Sequence, residues 1–452
     1  MATSVLWFRR DLRLGDNPAL LAAAEAGRDG ILPVFALDDA LRRPSGAPRL
    51  AFLYRALRAL DESLDGRLVV LRGKPESVVP RVAREIGANS VHVAADFGPY
   101  GRERDERVAE ALPGGVELIR TGSPYAVAPG RVRKDDGTPF RVYTPFHRAW
   151  VAHGWRKPAA SPGTGVRWLT GVDGTGMPRD PDVPATLPEA GEQAARDRWA
   201  RFRDEALLRY ADDRNRPDRA ATSRLSVDLK YGTIHPRTLL ADLSGRTGKG
   251  AETFRTELAW REFYADVLWH EPRSARECLN RAFAGMEVDT GPTADERFAA
   301  WAEGRTGYPI VDAGMRQLRA EAWLHNRVRM IVASFLVKDL HVDWGRGARE
   351  FLARLVDGDL ASNNAGWQWV AGCGTDAAPF HRVFNPVMQG RRFDPDGAYV
   401  RRYVPELRGV PGSAVHEPWD LQGGPPAGYP ERIVDHAAER KEALARYERV
   451  RR

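Results

Sequence analysis

The sequence predicts an α/β domain built on a doubly wound parallel sheet, then a long linker, then an all-helical domain. Three observations carry this. Short β-branched runs alternate with helical patterns from Ser4 to Ile119. A stretch rich in Pro, Gly and Asp follows, with Pro181-Asp182-Val183-Pro184 as its clearest breaker. Beyond it apolar spacing is helical and strand signals are few. The expected boundaries are 1–125, 126–189 and 190–452, since 452 residues exceed what one ordinary core serves.

In the first part, Ser4 to Phe8, Ile31 to Leu37, Leu68 to Leu71, Ser90 to Ala94 and Val116 to Ile119 read as strands. Pro18 to Ala26, Arg49 to Leu64, Pro75 to Ile86 and Arg102 to Leu112 read as the helices between them. That alternation implies right-handed βαβ units. No Gly-x-Gly-x-x-Gly follows the first strand, where Trp7-Phe8-Arg9-Arg10-Asp11-Leu12-Arg13 stands instead, so a dinucleotide site of the usual kind is not expected there. The linker is expected to drape over the surface. Gly245-Arg246-Thr247-Gly248-Lys249-Gly250 has the wrong spacing for a phosphate loop and follows no strand.

Hydrophobic content of 43% and charged content of 29% describe a globular chain. A net charge of +7 suits a polyanionic partner, although an Arg-rich composition alone gives the same sum. Two cysteines, Cys278 and Cys373, make neither a metal-ligand spacing nor a disulfide framework, so no metal is expected. No signal peptide or membrane-spanning run is evident, and a cytoplasmic protein is the expectation.

Chemistry concentrates in the helical half. Asp357-Gly358-Asp359-Leu360-Ala361-Ser362-Asn363-Asn364-Ala365-Gly366-Trp367-Gln368-Trp369 is too polar for a core and too aromatic for a surface loop. Any one of these residues alone is more often a helix cap or core packing; together they suit a buried, flat heteroaromatic ligand. On a helix spanning Thr253 to Trp269, Glu257, Trp260, Arg261, Tyr264 and Leu268 share a face, with Glu262 and Asp266 as a separate polar face. Glu321 to Leu340 reads as one amphipathic helix. Leu324, Val328, Ile331 and Phe335 form its core stripe, and Trp323, Asn326, Arg327 and Met330 a second stripe fit for a planar base. Thr222-Ser223-Arg224-Leu225-Ser226 leads into a turn and can offer donors to a diphosphate, or simply cap a helix.

On these motifs, with Gly304-Arg305-Thr306-Gly307-Tyr308-Pro309-Ile310-Val311-Asp312-Ala313, the chain resembles the photolyase/cryptochrome family over nearly its whole length, and most the class I cyclobutane pyrimidine dimer photolyases. The resemblance implies an antenna domain, a linker and a helical domain that holds FAD. Tyr210, Thr222, Ser223, Arg224, Leu225 and Ser226 would hold its diphosphate region with Arg261 assisting. Asp359 would accept the flavin N3–H, Asn363 would face N5, and Arg329 paired with Asp357 would lie beside it with Gly358. Phe254 stands where some members have Trp. Glu257, Trp260, Asn326, Arg327, Met330 and Trp369 match the pocket of members that repair cyclobutane dimers, and the His pair of members acting on (6-4) photoproducts is not matched at Trp323-Leu324-His325-Asn326-Arg327.

The implied activity is that of a deoxyribodipyrimidine photo-lyase. Blue light drives an electron from reduced FAD, the FADH− form, to a flipped-out dimer in DNA, with Glu257 steadying the developing charge. Arg214, Arg327 and Arg382 would contact phosphates, with Gln389 nearby. A monomer is expected. Asp96-Phe97-Gly98-Pro99-Tyr100-Gly101-Arg102-Glu103-Arg104-Asp105 is similar to relatives with a deazaflavin antenna, and lacks the Asn-Glu pair of methenyltetrahydrofolate binders. Trp367 and Trp344 match the inner and middle members of the family's electron-transfer tryptophans. The outer position falls on Gly291, or on Val288 with a short insertion, and no Trp occurs between Trp269 and Trp301. The rival reading is a cryptochrome-like photoreceptor without repair activity; a nicotinamide-dependent flavoprotein lacks its fingerprint.

Overall fold

The computed structural model describes residues 2–161, 165–376 and 382–451. The stretch Gly374 to Pro386 therefore lies partly outside the described residues. The chain forms two compact units, one of residues 1–183, 188–208 and 223–272, the other of 184–187, 209–222 and 273–452. These do not follow the expected limits 1–125, 126–189 and 190–452.

The first unit holds a parallel sheet of β1 (Thr3–Phe8), β2 (Gly30–Leu37), β3 (Val69–Arg72), β4 (Ser90–Val93) and β5 (Glu117–Arg120), in the order β3-β2-β1-β4-β5. Register pairs Val5 with Leu32 on one side and with Val91 on the other. Helices Pro18–Ala26, Ala47–Ser63, Pro75–Glu85 and Pro99–Ala111 follow β1 to β4. A central strand covered on both faces must be apolar throughout, and β1 is buried from end to end. Strand order reverses between β1 and β4, the place where α/β sheets open a crevice at their C-terminal edge.

The linker is draped over the surface only in part, residues 165–189 being exposed or half-buried throughout. It contains the helix Tyr143–His153, whose Phe146 and Trp150 are fully buried, and Trp168 bridges to Ile31. The cause lies on the helix Lys249–His270, longer than expected at both ends. Glu262 and Asp266, expected as a solvated polar face, are buried. Glu262 accepts Val127 N–H (3.0 Å) and the Trp150 indole N–H (2.6 Å), and Asp266 accepts Gly130 N–H (2.6 Å). Burial pushes both carboxyls up, against these hydrogen bonds. A loop whose amides end on buried carboxylates satisfies its backbone inside the protein and need not stay in water.

In the second unit, Trp301, Tyr308, Val328, Phe335, Phe351 and Trp367 belong to one core. The Gly304–Ala313 motif is structural there. Asp312 is fully buried and accepts Thr306 N–H (2.6 Å), Thr306 O–H (2.7 Å), Gly307 N–H (3.1 Å) and Tyr429 O–H (2.8 Å). Gly307 has φ +78°, and a Cβ there would come within 2.3 Å of the Glu431 carbonyl oxygen, so only glycine fits.

The expected single helix Glu321 to Leu340 is two. Helix Pro309–Glu321 ends at Ala322, which takes a left-handed φ of 48°, and helix Asn326–Lys338 starts afresh with His325 as its cap. His325 Nδ1 accepts Arg327 N–H at 3.2 Å. Trp323 is therefore not on the helix of Asn326, Arg327 and Met330. The apolar spacing ran through the junction because Leu324 is buried on the same core as Val328.

Candidate active site

In the second unit, the Asp357 stretch folds as a turn entering helix Leu360–Ala371. Asp359 is its cap and accepts Ser362 N–H at 3.1 Å, which fixes the carboxylate at the helix start. Asp357 and Gly358 are buried, and Asp357 pairs with Arg329 at 2.7 Å. Arg329 also donates to the Leu324 carbonyl (2.8 Å), so the non-helical junction at Ala322–His325 is held by the residue that orders Asp357. Asn363 donates both amide hydrogens, to the Ala348 carbonyl (3.1 Å) and to Asn364 Oδ1 (2.9 Å). What it keeps for a ligand is its acceptor oxygen.

Trp367 is buried on the next turn of the same helix. Its ring lies edge-on to Phe351 (4.9 Å) and Trp301 (6.1 Å). Gly347 permits this: a Cβ there would meet the Trp367 ring at 2.2 Å. Trp344 is buried at the start of helix Trp344–Arg354, capped by Asp343. The gap expected at the outer electron-transfer position has a local form. Val288 lines a cavity together with Trp344, and Gly291 caps helix Pro292–Glu303.

Asn326 and Met330 lie one turn apart on helix Asn326–Lys338, Asn326 exposed and Met330 half-buried; Trp369 is half-buried against the core. Arg327 donates to Asn215 Oδ1 through Nε (3.1 Å) and Nη2 (2.8 Å), with its guanidinium 4.5 Å from the Phe393 ring centre. Burial pushes its pKa down, and Arg214, Arg392 and Arg382 push it further. No carboxylate pairs with Arg327 among the described residues. Arg382 is exposed, and its carbonyl accepts the Lys338 ammonium. Gln389 is half-buried on helix Pro386–Phe393, which also carries Arg392. Sequence reasoning missed Arg392, although the pair Arg391-Arg392 just after Gln389 was a signal. Tyr210 is buried under the Arg214 guanidinium (5.8 Å), and Thr222 is half-buried.

The first unit holds the remaining predicted residues. Ser223 Oγ accepts Leu225 N–H (3.4 Å), Arg224 takes a left-handed φ of 52°, Leu225 is buried, and Ser226 begins helix Ser226–Tyr231. Arg261 donates to the Pro124 carbonyl (3.0 Å) and the Leu229 carbonyl (2.9 Å) and lies over Tyr125. Its first duty is thus to tie the linker to the segment after Ser226. Phe254 is buried against Trp199 (5.3 Å) and Phe202 (5.1 Å). Glu257 and Trp260 are half-buried on one face, and Trp260 stacks on Tyr143 at 3.6 Å and 6°. Tyr143 O–H donates to the Thr256 carbonyl, which fixes the stack. Tyr143 was invisible in the sequence because it belongs to the stretch read as a loose linker.

A parallel α/β sheet together with a helical unit offering an acceptor amide, an Arg329 paired with the buried Asp357 and a basic cluster suits a flavin-binding protein with an anionic partner. The comparisons sharpen this. Residues 4–163 match the family described as DNA photolyase, and residues 254–449 match the FAD binding domain of DNA photolyase. The chain is 45% identical to a deoxyribodipyrimidine photo-lyase of Streptomyces griseus, covering 100% of this chain and 99% of that one. A bacterial class III photolyase from Agrobacterium tumefaciens superposes with a TM-score of 0.89 at 37% identity, covering 100% and 98%. An archaeal photolyase from Sulfolobus tokodaii, described with two FAD molecules and a novel light-harvesting cofactor, superposes with a TM-score of 0.82 at 30% identity, covering 99% and 100%. The chain belongs to the DNA photolyase family and carries that family's FAD-binding domain.

Proposed function

We propose that the protein is a deoxyribodipyrimidine photo-lyase, which repairs cyclobutane pyrimidine dimers in DNA under blue light and leaves (6-4) photoproducts alone. Reduced FAD, when bound, supplies the light-driven electron that opens the cyclobutane ring and takes it back, so the reaction is redox-neutral overall. The residues present fit that group. Asn363 keeps an acceptor oxygen, which suits the N5–H of a reduced flavin, and Asp359 is a fixed carboxylate suited to N3–H. The Arg329–Asp357 pair adds a charged border without net charge. Tyr210, Thr222 to Ser226 and Arg261 order the diphosphate end.

The observation that carries the DNA half of the reading is Arg327, a guanidinium with arginine neighbours and a neutral Asn215 where a structural arginine would have an acid. A phosphate relieves that repulsion, so Arg327, Arg214 and Arg382, with Gln389, hold the DNA backbone. Asn326 and Met330 contact the flipped dimer; Trp260 and Trp369 form apolar walls for it. The stack on Tyr143 keeps one face of Trp260 rigid. Glu257 hydrogen-bonds the dimer and stabilises charge as the ring opens, which lowers the barrier more than it tightens binding.

Trp344 and Trp367 carry electrons when oxidised flavin is photoreduced, and Trp301, 6.1 Å from Trp367, is the alternative carrier in place of the missing outer tryptophan. A second, antenna chromophore is proposed for the first unit, a deazaflavin rather than methenyltetrahydrofolate on the sequence of Asp96 to Asp105; a photolyase relative from Sulfolobus tokodaii is described with two FAD molecules. The protein acts as a cytoplasmic monomer; free thiols suit that compartment. The test is an absorption spectrum of the purified protein before and after blue light with a thiol, followed by repair of defined lesions. Flavin bands that bleach, then light-dependent loss of cyclobutane dimers, support the reading; flavin-loaded protein inert toward dimers overturns it.

A further inference from the structure

The two cysteines left without a role by the sequence meet in the second unit. Gln368 brings their segments together. Its Oε1 accepts Leu279 N–H (2.9 Å), and its Nε2 donates to the carbonyls of Ser274 (2.8 Å) and Glu277 (3.1 Å). Its own carbonyl accepts Cys373 N–H (3.0 Å), and the Cys373 carbonyl accepts Asn280 N–H (2.9 Å). Cys278 packs against the core that contains Cys373 and Trp344. Both cysteines line one cavity of ≈ 180 Å³ with Lys338, His341, Asp343 and Trp344. Water occupies ~30 Å³ in the liquid, so a peroxide fits there easily. Cys278 is half-buried and Cys373 buried.

A buried cysteine usually acts as a small apolar filler. This pair differs because both cysteines line one cavity and one of them is accessible. The neighbouring Cys373 thiol draws the Cys278 pKa down to about 7, with Trp344 acting the same way and burial and Asp343 opposing. Burial and the neighbouring Cys278 push Cys373 up. Exposure divides the roles: half-buried Cys278 is the attacking sulfur and buried Cys373 the resolving one.

We propose that Cys278 and Cys373 are a redox-active dithiol that hydroperoxides close into an intramolecular disulfide. The Cys278 thiolate attacks a peroxide oxygen and breaks the O–O bond, giving a sulfenic acid and a leaving hydroxide, which takes up a proton. The Cys373 sulfur then attacks the Cys278 sulfur, the S–S bond forms, and the sulfenic oxygen leaves with the Cys373 proton as water. With hydrogen peroxide, one peroxide and two thiols become one disulfide and two waters. The bond ties the segment before Asn280 to the end of the helix that bears Asn363, Trp367 and Trp369. None of this depends on the repair reading.

The test uses the full-length protein and hydrogen peroxide as probe, with alkylation of remaining thiols and intact mass spectrometry. The expected result is joint loss of both thiols and of two hydrogens from the mass, reversed by dithiothreitol. Cys373→Ser should stop at a sulfenic acid on Cys278, trapped by dimedone. Cys278→Ser should leave Cys373 alkylatable after denaturation. In the wild type, Cys278 should alkylate about tenfold faster at pH 8 than at pH 6, a readout that holds even if the serine variants do not fold. Two thiols persisting after peroxide, a sulfinic Cys278 beside an intact Cys373, a disulfide between chains, or a flat alkylation profile each overturns the proposal.

Discussion

Two arginine clusters in this protein, one in each compact unit, are built on opposite principles. At the C-terminal edge of the sheet, Arg9 pairs with Asp105, and Arg104 pairs with Asp96 (3.1 Å) and Asp105 (2.9 Å). Both guanidiniums also lie over the Trp7 ring. Two cations meet two anions, and burial, which would neutralise Asp96 and Arg104, is outweighed by their partners. In the helical unit Arg327 sits among Arg214, Arg382 and Arg392, with a neutral amide as its hydrogen-bond acceptor. The first cluster is complete without a partner. The second holds like charges together at a cost in stability, and that cost makes sense if a polyanion arrives to offset it. Net charge alone could not tell the two apart.

The largest expected effect breaks the complete cluster. Arg104→Met leaves Asp96 and Asp105 buried with too little positive charge, and should cost ~3–5 kcal/mol in urea unfolding while DNA affinity per folded molecule stays unchanged. A weakened DNA interaction in that variant would mean the sheet cluster is not purely structural.

One buried group in each unit should also respond oppositely to acid. Burial lowers His235 to about 4, against its hydrogen bond to Asp16, in the sheet unit. The folded state then resists protonation, so His235's contribution is full above the ordinary histidine range and is lost as pH falls toward 4. Burial raises Asp394 to about 6 in the helical unit, despite the amides of Tyr399 and Val400. The folded state there favours the proton, so that contribution is present below the ordinary carboxylate range and lost as pH rises through 6. Hydrogen exchange corrected for intrinsic rates should show, between pH 6.5 and pH 4.5, the amides packed around His235 loosening and those around Asp394 tightening, each by on the order of 1–2 kcal/mol. Parallel shifts at the two sites would contradict these assignments.

Arg327→Ala should lower affinity for damaged DNA about tenfold and make the salt dependence shallower by about one phosphate, with stability changed by no more than ~0.5 kcal/mol. A loss of stability comparable to that of Arg104→Met would erase the contrast between the clusters. The smallest effect concerns Trp301. Trp301→Phe should slow photoreduction of oxidised flavin while repair by pre-reduced protein is unaltered. An unchanged photoreduction rate would remove Trp301 from the route.

The parallel sheet was legible in the sequence because its central strands β1 and β2 are buried throughout and read as apolar runs, whereas the edge strand β5 is not buried; the strand boundaries of Ile31 to Leu37 and Ser90 to Ala94 differ by a residue from those observed. The site residues on Asp357 to Trp369 were legible as a cluster, since one turn and one helix hold them. What the sequence hid was contact across long separations. Nothing local marks Glu262 and Asp266 as the acceptors for amides some 135 residues earlier, or Tyr143 as the ring under Trp260. The junction at Ala322 was hidden for another reason: a left-handed alanine carries no sequence signal, and the apolar spacing continued past it.

The most direct measurement is repair by the reduced protein of a cyclobutane dimer and a (6-4) product placed in the same DNA sequence, with Glu257→Ala alongside. The predicted result is restoration of the cyclobutane dimer in blue light and not in the dark, no repair of the (6-4) product, and a Glu257→Ala protein that binds like wild type but turns over more slowly. Equal repair of both lesions, or a Glu257→Ala protein as fast as wild type, would contradict it.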